Sequence, residues 1–399
     1  MIPRTKVNYG PGDLLSAAFV SETESRRREA LTAGLAGLFG VAADQIILTA
    51  SGRGALYVIF SCLPQRRVVL PAYTCKAVVE AALLAGKELD FVEVEEDGFN
   101  LDPGDLAGKL NPDSLLLVTH QFGLPCAAPE LLARAEAAGA LVIEDAAASL
   151  GSRLKGRLTG TFGRAAAFSF DSTKLLHTPL KGGFILASDR GLGARCRQFA
   201  ETSLKPMPGS RKWRLLALGL ALTLLADGRL YRLFHKLKFE WPGRYTDESL
   251  SSPPRLNPFY TDQLAEWQAE VLAPQLAALE DLMARRRDVY AELRTRLAGA
   301  VSFQLPPPDL DQEWAPIRFP LRIKGDKWSF YRRGVRRGLD FAFSFTFLGC
   351  PESYARSWRL AAAVLDPPFY DRLSRTELDR MVEILLALDR ETAPEQGEP

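Results

Sequence analysis

The chain has 399 residues, of which 47% are hydrophobic and 25% are charged, as is typical of a globular enzyme. This length is too great for one small core and favours two domains. The 50 basic and 48 acidic residues nearly balance, which gives no support to a nucleic-acid partner. The five cysteines are scattered and show no zinc-like Cys/His spacing, so we expect no metal site and reduced thiols in the cytoplasm.

Short apolar runs alternate with helical patterns in the first half of the chain. Ala/Leu-rich helices, such as those predicted at 76–85 and 129–138, separate several candidate strands. This alternation predicts an α/β fold with a mostly parallel central sheet, whose ligands bind at the carboxyl ends of the strands. The candidate strands are 46–48, 68–70, 89–94, 115–119, 141–144, 165–170 and 184–187.

An unusual insert lies at about residues 205–250. Its apolar run, 215–226, is shorter than the roughly 20 residues that span a bilayer. Basic and aromatic residues flank the run, which favours a helix at a membrane interface or against a partner. A helix that is buried in a dimer, or that lies over the mouth of a ligand site, is an equally good interpretation. Peripheral contact with the inner face of a membrane is therefore one of two open interpretations.

The pattern changes after Tyr260. Residues 263–297 have apolar side chains at helical spacing and are predicted as one long helical stretch. After a proline run, a strand is predicted at 317–323, and helices follow near 328–338 and 375–388. We therefore expect a large α/β domain, residues 1–255, and a smaller C-terminal α+β domain, residues 256–399. We expect residues 391–399 to form a disordered tail.

Three chemically distinct side chains follow two of the predicted strands. Asp145 ends one strand, Ser169 lies at the end of the next, and Lys174 follows five residues later. Pyridoxal phosphate (PLP) enzymes need a carboxylate for the pyridinium nitrogen, a hydroxyl for the phosphate and an amine for a Schiff base. The three residues in this order therefore indicate a PLP site. Lys181 is a rival for the amine, but its spacing from Ser169 is wrong.

Other residues could complete such a site. Gly52 and Arg53 open a predicted helix after a strand, where backbone amides and a guanidinium can bind a phosphate. A glycine-containing turn before a core helix is the alternative. His120 follows a predicted strand, and His177 lies three residues after Lys174. Both are candidates for substrate contact; the alternatives are a structural histidine for His120 and a loop residue without a role for His177.

A longer set of motifs strengthens this interpretation. The chain resembles the DegT–StrS family of PLP-dependent sugar aminotransferases, which have the type I fold of aspartate aminotransferase. The resemblance runs from Ile2-Pro3 to the C-terminal helix. The motifs that carry it are Ser51-Gly52 with Ala55-Leu56, Leu70-Pro71-Ala72-Tyr73-Thr74, Gly86 with Phe91-Val92-Glu93-Val94, His120 with Gly123, Ile143-Glu144-Asp145-Ala146-Ala147, Gly151, Phe168-Ser169-Phe170 with Lys174, and Gly182-Gly183.

The resemblance implies a role for each matching residue. Lys174 would hold the cofactor and move the proton, and Asp145 would pair with the pyridinium nitrogen. Ser169 would bind the phosphate together with the amides of Gly52 and Arg53. It also implies a homodimer whose active sites are shared between subunits.

The chain departs from the family pattern at several positions. Arg53 replaces a threonine, Cys75 replaces the aromatic residue that stacks on the cofactor, and Ala148 replaces a glutamine. Tyr73 is a candidate substitute for the ring. Gln263 is a weak candidate for the side chain that reaches the neighbouring subunit's phosphate. We still expect the chain to bind PLP, but these changes put the usual nucleotide-sugar substrate in doubt.

The resemblance implies transfer of an amino group from an amino acid, usually glutamate, to a keto-sugar. The sugar is expected to be nucleotide-linked and to serve surface-polysaccharide or secondary-metabolite synthesis. A dehydratase-like relative would replace the Schiff-base lysine, whereas Lys174 is present. The alternative from another class is an inactive scaffold or regulator with the same fold, held at a membrane through residues 205–250. The expected location is cytoplasmic.

Overall fold

The computed structural model describes residues 1–239, 254–308, 313–346 and 348–392. A seven-stranded sheet in the order β1-β9-β8-β5-β4-β2-β3 forms its centre. All pairings are parallel except those of β9, which runs antiparallel to β1 and β8. The prediction of a mostly parallel sheet and all seven of its strands is confirmed. In chain order, the first nine strands are β1 (Ile46–Thr49), β2 (Arg67–Pro71), β3 (Glu88–Val92), β4 (Ser114–Thr119), β5 (Leu141–Asp145), β6 (Arg153–Leu154), β7 (Arg157–Leu158), β8 (Ala165–Ser169) and β9 (Gly183–Ala187).

Apolar side chains cover both faces of this sheet. In β4, Leu115 and Leu117 join one buried cluster, while Leu116 and Val118 join another. Successive residues of a strand point to opposite faces, so an uninterrupted apolar run predicts a sheet with helices on both sides. The helices of this region are α1 (Pro11–Ala18), α2 (Arg26–Phe39), α3 (Gly52–Ser61), α4 (Lys76–Leu84), α5 (Ala128–Ala137) and α6 (Arg190–Ser203), with 3₁₀ turns at Ala43–Gln45, Pro103–Leu106 and Gln121–Gly123.

A smaller antiparallel sheet lies in the C-terminal part of the chain, in the order β10-β11-β12. The predicted strand at 317–323 is shorter than expected, because only Leu321–Ile323 pairs with neighbours. The elements of this part are α9 (Pro258–Thr261), α10 (Glu266–Ala277), α11 (Leu279–Arg296), β10 (Phe303–Gln304), β11 (Leu321–Ile323), α12 (Lys327–Arg336), α13 (Ala355–Ala363), β12 (Val364–Leu365) and α14 (Arg375–Thr392).

The long helical stretch predicted at 263–297 is two helices in the structure. Helix α10 ends at Ala277, and the next residue, Ala278, has φ −96° and ψ 13°. Pro274 also lacks the N–H that would continue the helical ladder. The domain boundary near residue 255 stays a prediction. Helix α14 runs to Thr392, and the rest of the predicted tail lies outside the described residues.

The insert contains α7 (Gly209–Leu224) and α8 (Gly228–Phe239), and its residues 240–250 lie outside the described part. One side of α7 packs closely on the protein, since a Cβ at Gly219 would lie 2.7 Å from Pro179. Leu215 and Leu216 are buried on the same side. Among the described residues, no helix is both long and apolar enough to cross a bilayer.

Asp340 joins three separate parts of the chain. Its buried carboxylate accepts hydrogen bonds from the Arg4 guanidinium at 2.7 and 3.1 Å and from the Tyr231 hydroxyl at 2.6 Å. His235 Nε2 lies 3.4 Å away. Burial alone would raise the pKa of Asp340, but these donors outweigh it and lower the pKa. The N-terminal segment and α8 are thereby held against the C-terminal part.

We expect Asp340→Ala to lower the free energy of unfolding by about 3 kcal/mol, because it leaves Arg4 and Tyr231 without their buried acceptor. Asp379→Ala is the matched control. It removes a half-exposed carboxylate that pairs with Arg296 at 2.6 Å, and such a pair contributes about 0–1 kcal/mol. Urea unfolding followed by circular dichroism measures both. Equal losses in the two variants would contradict the importance assigned to Asp340.

His177 holds the N-terminal segment against the loop after β8. Its buried ring accepts the Asn8 backbone N–H at Nε2 (2.9 Å), and its Nδ1 donates to the Lys174 carbonyl (3.0 Å). Both bonds together require the neutral ring. Burial is the largest effect and lowers the pKa of His177 to about 4.

We expect the free energy of unfolding to fall as the pH decreases from about 6.5 towards 4. In this range His177 is protonated in the unfolded chain, where its pKa is about 6.5, and stays neutral in the folded chain, where its pKa is about 4. Between pH 7 and pH 5, this site alone should cost about 2 kcal/mol. His177→Asn should lack this part of the pH dependence. Unfolding curves of both proteins at the two pH values measure the difference. Parallel pH profiles would show that His177 is not the titrating group.

Candidate active site

The topology places several strand ends at one edge of the central sheet. In the parallel register, Thr119 of β4 lies beside Asp145 of β5, and Asp145 lies beside Ala167 of β8. Strand β1 runs parallel to β8, because β9 is antiparallel to both, so the turn into α3 reaches the same edge. A cavity of about 750 Å³ opens there.

Six of the predicted site residues line this cavity, and four do not. Tyr73, His120 and His177 are buried elsewhere, and Gln263 also lies outside the lining. The six residues that the structure brings together are Gly52, Arg53, Cys75, Asp145, Ser169 and Lys174.

Two consecutive carboxylates end β5 and face opposite sides. Glu144 is fully buried and accepts the backbone N–H groups of Gly160 and Gly163, each at 2.7 Å. It also lies 3.0 Å from His120 Nε2. Asp145 faces the cavity, and burial raises its pKa while the nearby Lys174 opposes that shift. Glu144 therefore supports the strand end, and Asp145 is the carboxylate available to a ligand.

His120 is part of this support and does not contact the cavity. Its Nδ1 accepts the Cys126 N–H at 3.2 Å, and its Nε2 faces Glu144. Both ring nitrogens are therefore engaged inside the protein. The expectation that His120 faces the substrate is not supported by this geometry, and the same holds for His177, whose two bonds are described above.

Lys174 lies in a loop that hydrogen bonds between its own residues hold in shape. Asp171 accepts from Thr173 N–H at 3.1 Å and from the Thr173 hydroxyl at 2.9 Å, and its carbonyl accepts from Lys174 N–H at 2.8 Å. Lys181 pairs with the Asp171 carboxylate, and this ion pair makes Lys181 a poor rival for the catalytic amine.

Burial lowers the pKa of Lys174, against the opposing effects of Asp171 and Asp145. A lowered pKa favours the neutral, nucleophilic amine.

The expected phosphate site is a close-packed cradle. A Cβ at Gly52 would lie 2.8 Å from Ser169 Cβ, so only glycine allows this approach of α3 to β8. Ser51 caps α3 by accepting from Gly54 N–H at 3.0 Å. The first amides of the helix have no partner inside it and are available to an anion.

The side chains around this cradle also fit pyridoxal phosphate. The buried hydroxyls of Thr74 and Thr119 line the cavity and have no hydrogen-bond partner among the described residues. Buried polar atoms are rarely left unpaired, so these two indicate a polar ligand. Asp145, Ser169 and Lys174 would hold its ring nitrogen, phosphate and aldehyde carbon, respectively.

The Arg53 side chain is directed elsewhere than expected. Its guanidinium lies 3.6 Å from Glu80 and 5.8 Å from the centre of the Tyr260 ring. The Tyr260 hydroxyl also donates to Glu80 at 3.1 Å. The bidentate phosphate contact predicted for this guanidinium is therefore replaced by an ion pair and a ring contact. Its backbone amide keeps the predicted position at the start of α3.

Arg318 was missed by the sequence analysis. Six cationic side chains line the cavity, and four of them pair with carboxylates: Arg4 with Asp340, Arg53 and Lys76 with Glu80, and Lys181 with Asp171. Lys174 and Arg318 form no ion pair with any described residue. Arg318 lies near enough to Lys174 to contribute to the lowering of its pKa. Its position follows from the tertiary fold and had no signal in the sequence.

The three residues that replace those of the family pattern all line the cavity. Cys75 and Ala148 line it together with Arg53, and burial raises the pKa of the Cys75 thiol. Two aromatic rings also line the cavity, those of Phe122 and Phe345, which stack with centres 6.1 Å apart. Both have positive φ, 60° and 52°, a strained conformation that is found at functional sites.

Tyr73 and Gln263 have internal partners. The Tyr73 hydroxyl donates to the Ser344 carbonyl at 3.3 Å, so its ring does not replace the missing aromatic residue. Gln263 accepts from Arg28 at 3.3 Å and donates to the Leu204 carbonyl at 3.3 Å. A contact of Gln263 with a neighbouring subunit stays a prediction.

Solved structures share this fold across nearly the whole chain. An aminotransferase from Streptoalloteichus hindustanus, TlmJ, superposes with a TM-score of 0.74 at 20% identity and covers 97% of this chain and 98% of its own. NtdA from Bacillus subtilis, solved with bound PMP, gives a TM-score of 0.72 at 18% identity over 98% of this chain and 84% of its own. At these identities the likeness shows the fold alone.

Sequence comparison gives the family. A curated relative, the UDP-N-acetyl-3-dehydro-α-D-glucosamine 3-aminotransferase of Acidithiobacillus ferrooxidans, is 31% identical over 200 residues, which are 49% of this chain and 53% of the relative. The chain thus spans about half the length of that relative. The model of the DegT/DnrJ/EryC1/StrS aminotransferase family matches residues 23–386. With this match over nearly its whole length, the chain belongs to the DegT/DnrJ/EryC1/StrS aminotransferase family, whose members use pyridoxal phosphate.

Proposed function

We propose that this protein is a PLP-dependent aminotransferase that moves an amino group from an amino acid to a keto-sugar. The observation that carries the proposal is the meeting of Lys174, Asp145 and Ser169 in one cavity, with the pKa of the lysine lowered by burial. An inactive scaffold is not favoured, because the residues that the chemistry needs are present and line one cavity.

Each of these residues has a defined task. Pyridoxal phosphate supplies a carbonyl that condenses with amines and a ring that withdraws electrons. With the cofactor bound, Asp145 would hold a proton at the ring nitrogen, and Ser169 with the amides at the start of α3 would bind the phosphate. The neutral Lys174 amine takes a proton from the α-carbon of the donor. The donor becomes a 2-oxo acid whose new oxygen comes from water. The keto carbon of the acceptor gains the amine, and its oxygen leaves as water.

The acceptor is proposed to be a nucleotide-linked keto-sugar. The curated relative from Acidithiobacillus ferrooxidans is named for a UDP-linked dehydro-sugar, which supports this class of substrate. We also propose a cytoplasmic homodimer with active sites at the subunit interface, the arrangement expected from the family resemblance.

Arg318 is proposed to bind a carboxylate of the amino donor, with glutamate as the proposed donor. The donor amine must reach the position of the Lys174 amine, so its α-carboxylate lies within a few bonds of that point. Arg318 lies in the cavity wall close to Lys174. It forms no ion pair within 4 Å with a described residue, and the buried Asp366 is a carboxylate that it influences from a greater distance. Its planar guanidinium is suited to bidentate binding of a carboxylate.

The central test is spectroscopic. With added pyridoxal phosphate, the wild type should gain a visible absorption band that glutamate bleaches, and borohydride should attach the cofactor to the peptide containing Lys174. Lys174→Ala should show neither change, while Asp145→Asn should bind the cofactor and lose at least about 100-fold in rate. A borohydride label on Lys181, or no bleaching with any amino acid, would overturn the aminotransferase proposal.

We expect Arg318→Gln to lower kcat/KM for the amino donor by about 10- to 100-fold, the loss typical of one charge-assisted hydrogen bond. Arg318→Lys keeps the charge and should lose less. Steady-state kinetics with each substrate varied in turn measures the effect. The KM of the keto-sugar should change little. A larger effect on the sugar than on the donor would assign Arg318 to the acceptor instead.

A further inference from the structure

Helix α7 has an apolar outer face. Its inner face packs on the protein and buries Leu215, Leu216 and Gly219. Along one edge of this packed face, Trp213, Leu220 and Leu224 are 60%, 45% and 56% exposed. These positions are seven and four residues apart, so they form one stripe along the helix. Water covers three large apolar side chains here, which is unfavourable for an isolated protein.

Helix α8 repeats the arrangement. Its buried side carries Tyr231 and His235, which are held near Asp340. Leu230, Leu233 and Leu237 are 48%, 57% and 61% exposed, and their spacing of three and four residues places them on one face. Since α8 is anchored from its inner side, the outer leucines are not required for its packing.

The charge of this segment is strongly one-sided. Residues 209–239 contain seven Lys/Arg and a single acidic residue, a net of +6 in a chain whose total is +2. Arg211 and Lys212 pair with Asp262 and Glu22. The remaining described basic side chains, Arg214, Arg229, Arg232 and Lys236, are exposed. The one acid, Asp227, accepts the N–H groups of Arg229 and Leu230 at the start of α8.

Two kinds of occupant could cover apolar stripes of this kind. A second copy of the chain, meeting through the same face, would bring two strongly basic segments together and be repelled. An anionic lipid surface has the complementary charge. Leucines enter the boundary between headgroups and acyl chains, tryptophan is favoured at that depth, and Lys/Arg side chains reach lipid phosphates.

We propose that the outer faces of α7 and α8 form a docking surface for anionic phospholipid. The surface consists of Trp213, Leu220, Leu224, Leu230, Leu233 and Leu237 with the four exposed basic residues. Neither helix is long and apolar enough to span a bilayer, so the contact is peripheral. It holds the aminotransferase at a membrane without involving the cavity.

Vesicle flotation tests the proposal. The wild type should float with vesicles that contain phosphatidylglycerol and remain in solution with phosphatidylcholine alone. The double variant Leu233→Ser with Leu237→Ser should reduce the partition coefficient about tenfold or more, and Arg229→Gln with Lys236→Gln should do the same. Val301→Ser removes a side chain that is 50% exposed outside this surface and should bind like the wild type.

Each other outcome argues against the proposal. No flotation of the wild type with anionic vesicles would overturn it, as would binding that both double variants retain. If the wild type fails to float and the leucine variant alone changes the molar mass in light scattering, a second copy covers the face. Lys174→Ala should float normally, so a failure of the proposed catalytic function and a failure of membrane binding are seen separately.

Discussion

The position of Glu144, directly before Asp145, is the constraint on which the site depends. A strand alternates its side chains, so one of two consecutive carboxylates must point away from the cavity. Burying Glu144 is tolerable only because two backbone N–H groups and His120 satisfy it. Those same bonds tie the segment after β7 and the end of β4 to β5. The orientation of Asp145 is therefore set by a residue that never meets the substrate.

Charge pairing then decides which cations in the cavity can react. Most of the basic side chains there form an ion pair with a neighbouring carboxylate. The pair holds each of them in place and keeps it charged, so that it cannot serve as the nucleophilic amine. Lys174 is near Asp171, but the Asp171 carboxylate pairs with Lys181. The amine of Lys174 is thereby left in a partly desolvated position where its neutral form is favoured.

The sequence was informative where local pattern and topology agree. All seven strands of the central sheet, and the meeting of Asp145, Ser169 and Lys174 at one edge, followed from apolar runs and from the rule that parallel strands present their carboxyl ends together. His120 and His177 also follow strands, but nothing local indicates which side of the backbone a ring will take. Arg318 comes from a part of the chain about 140 residues after Lys174, and only the folded chain brings the two together.

The antiparallel placement of β9 has an evolutionary consequence. The loop that carries Lys174 leaves the sheet at β8 and returns to the same edge at β9, where Phe170 N–H donates to the Gly182 carbonyl at 2.7 Å. Asp145 belongs to a different strand and does not move with that loop. An insertion or deletion between Phe170 and Gly182 would shift the lysine against the carboxylate. Among relatives, the length of this loop should therefore vary less than its side chains, apart from those that line the cavity or hold the loop: Asp171, Thr173, Lys174, His177 and Lys181.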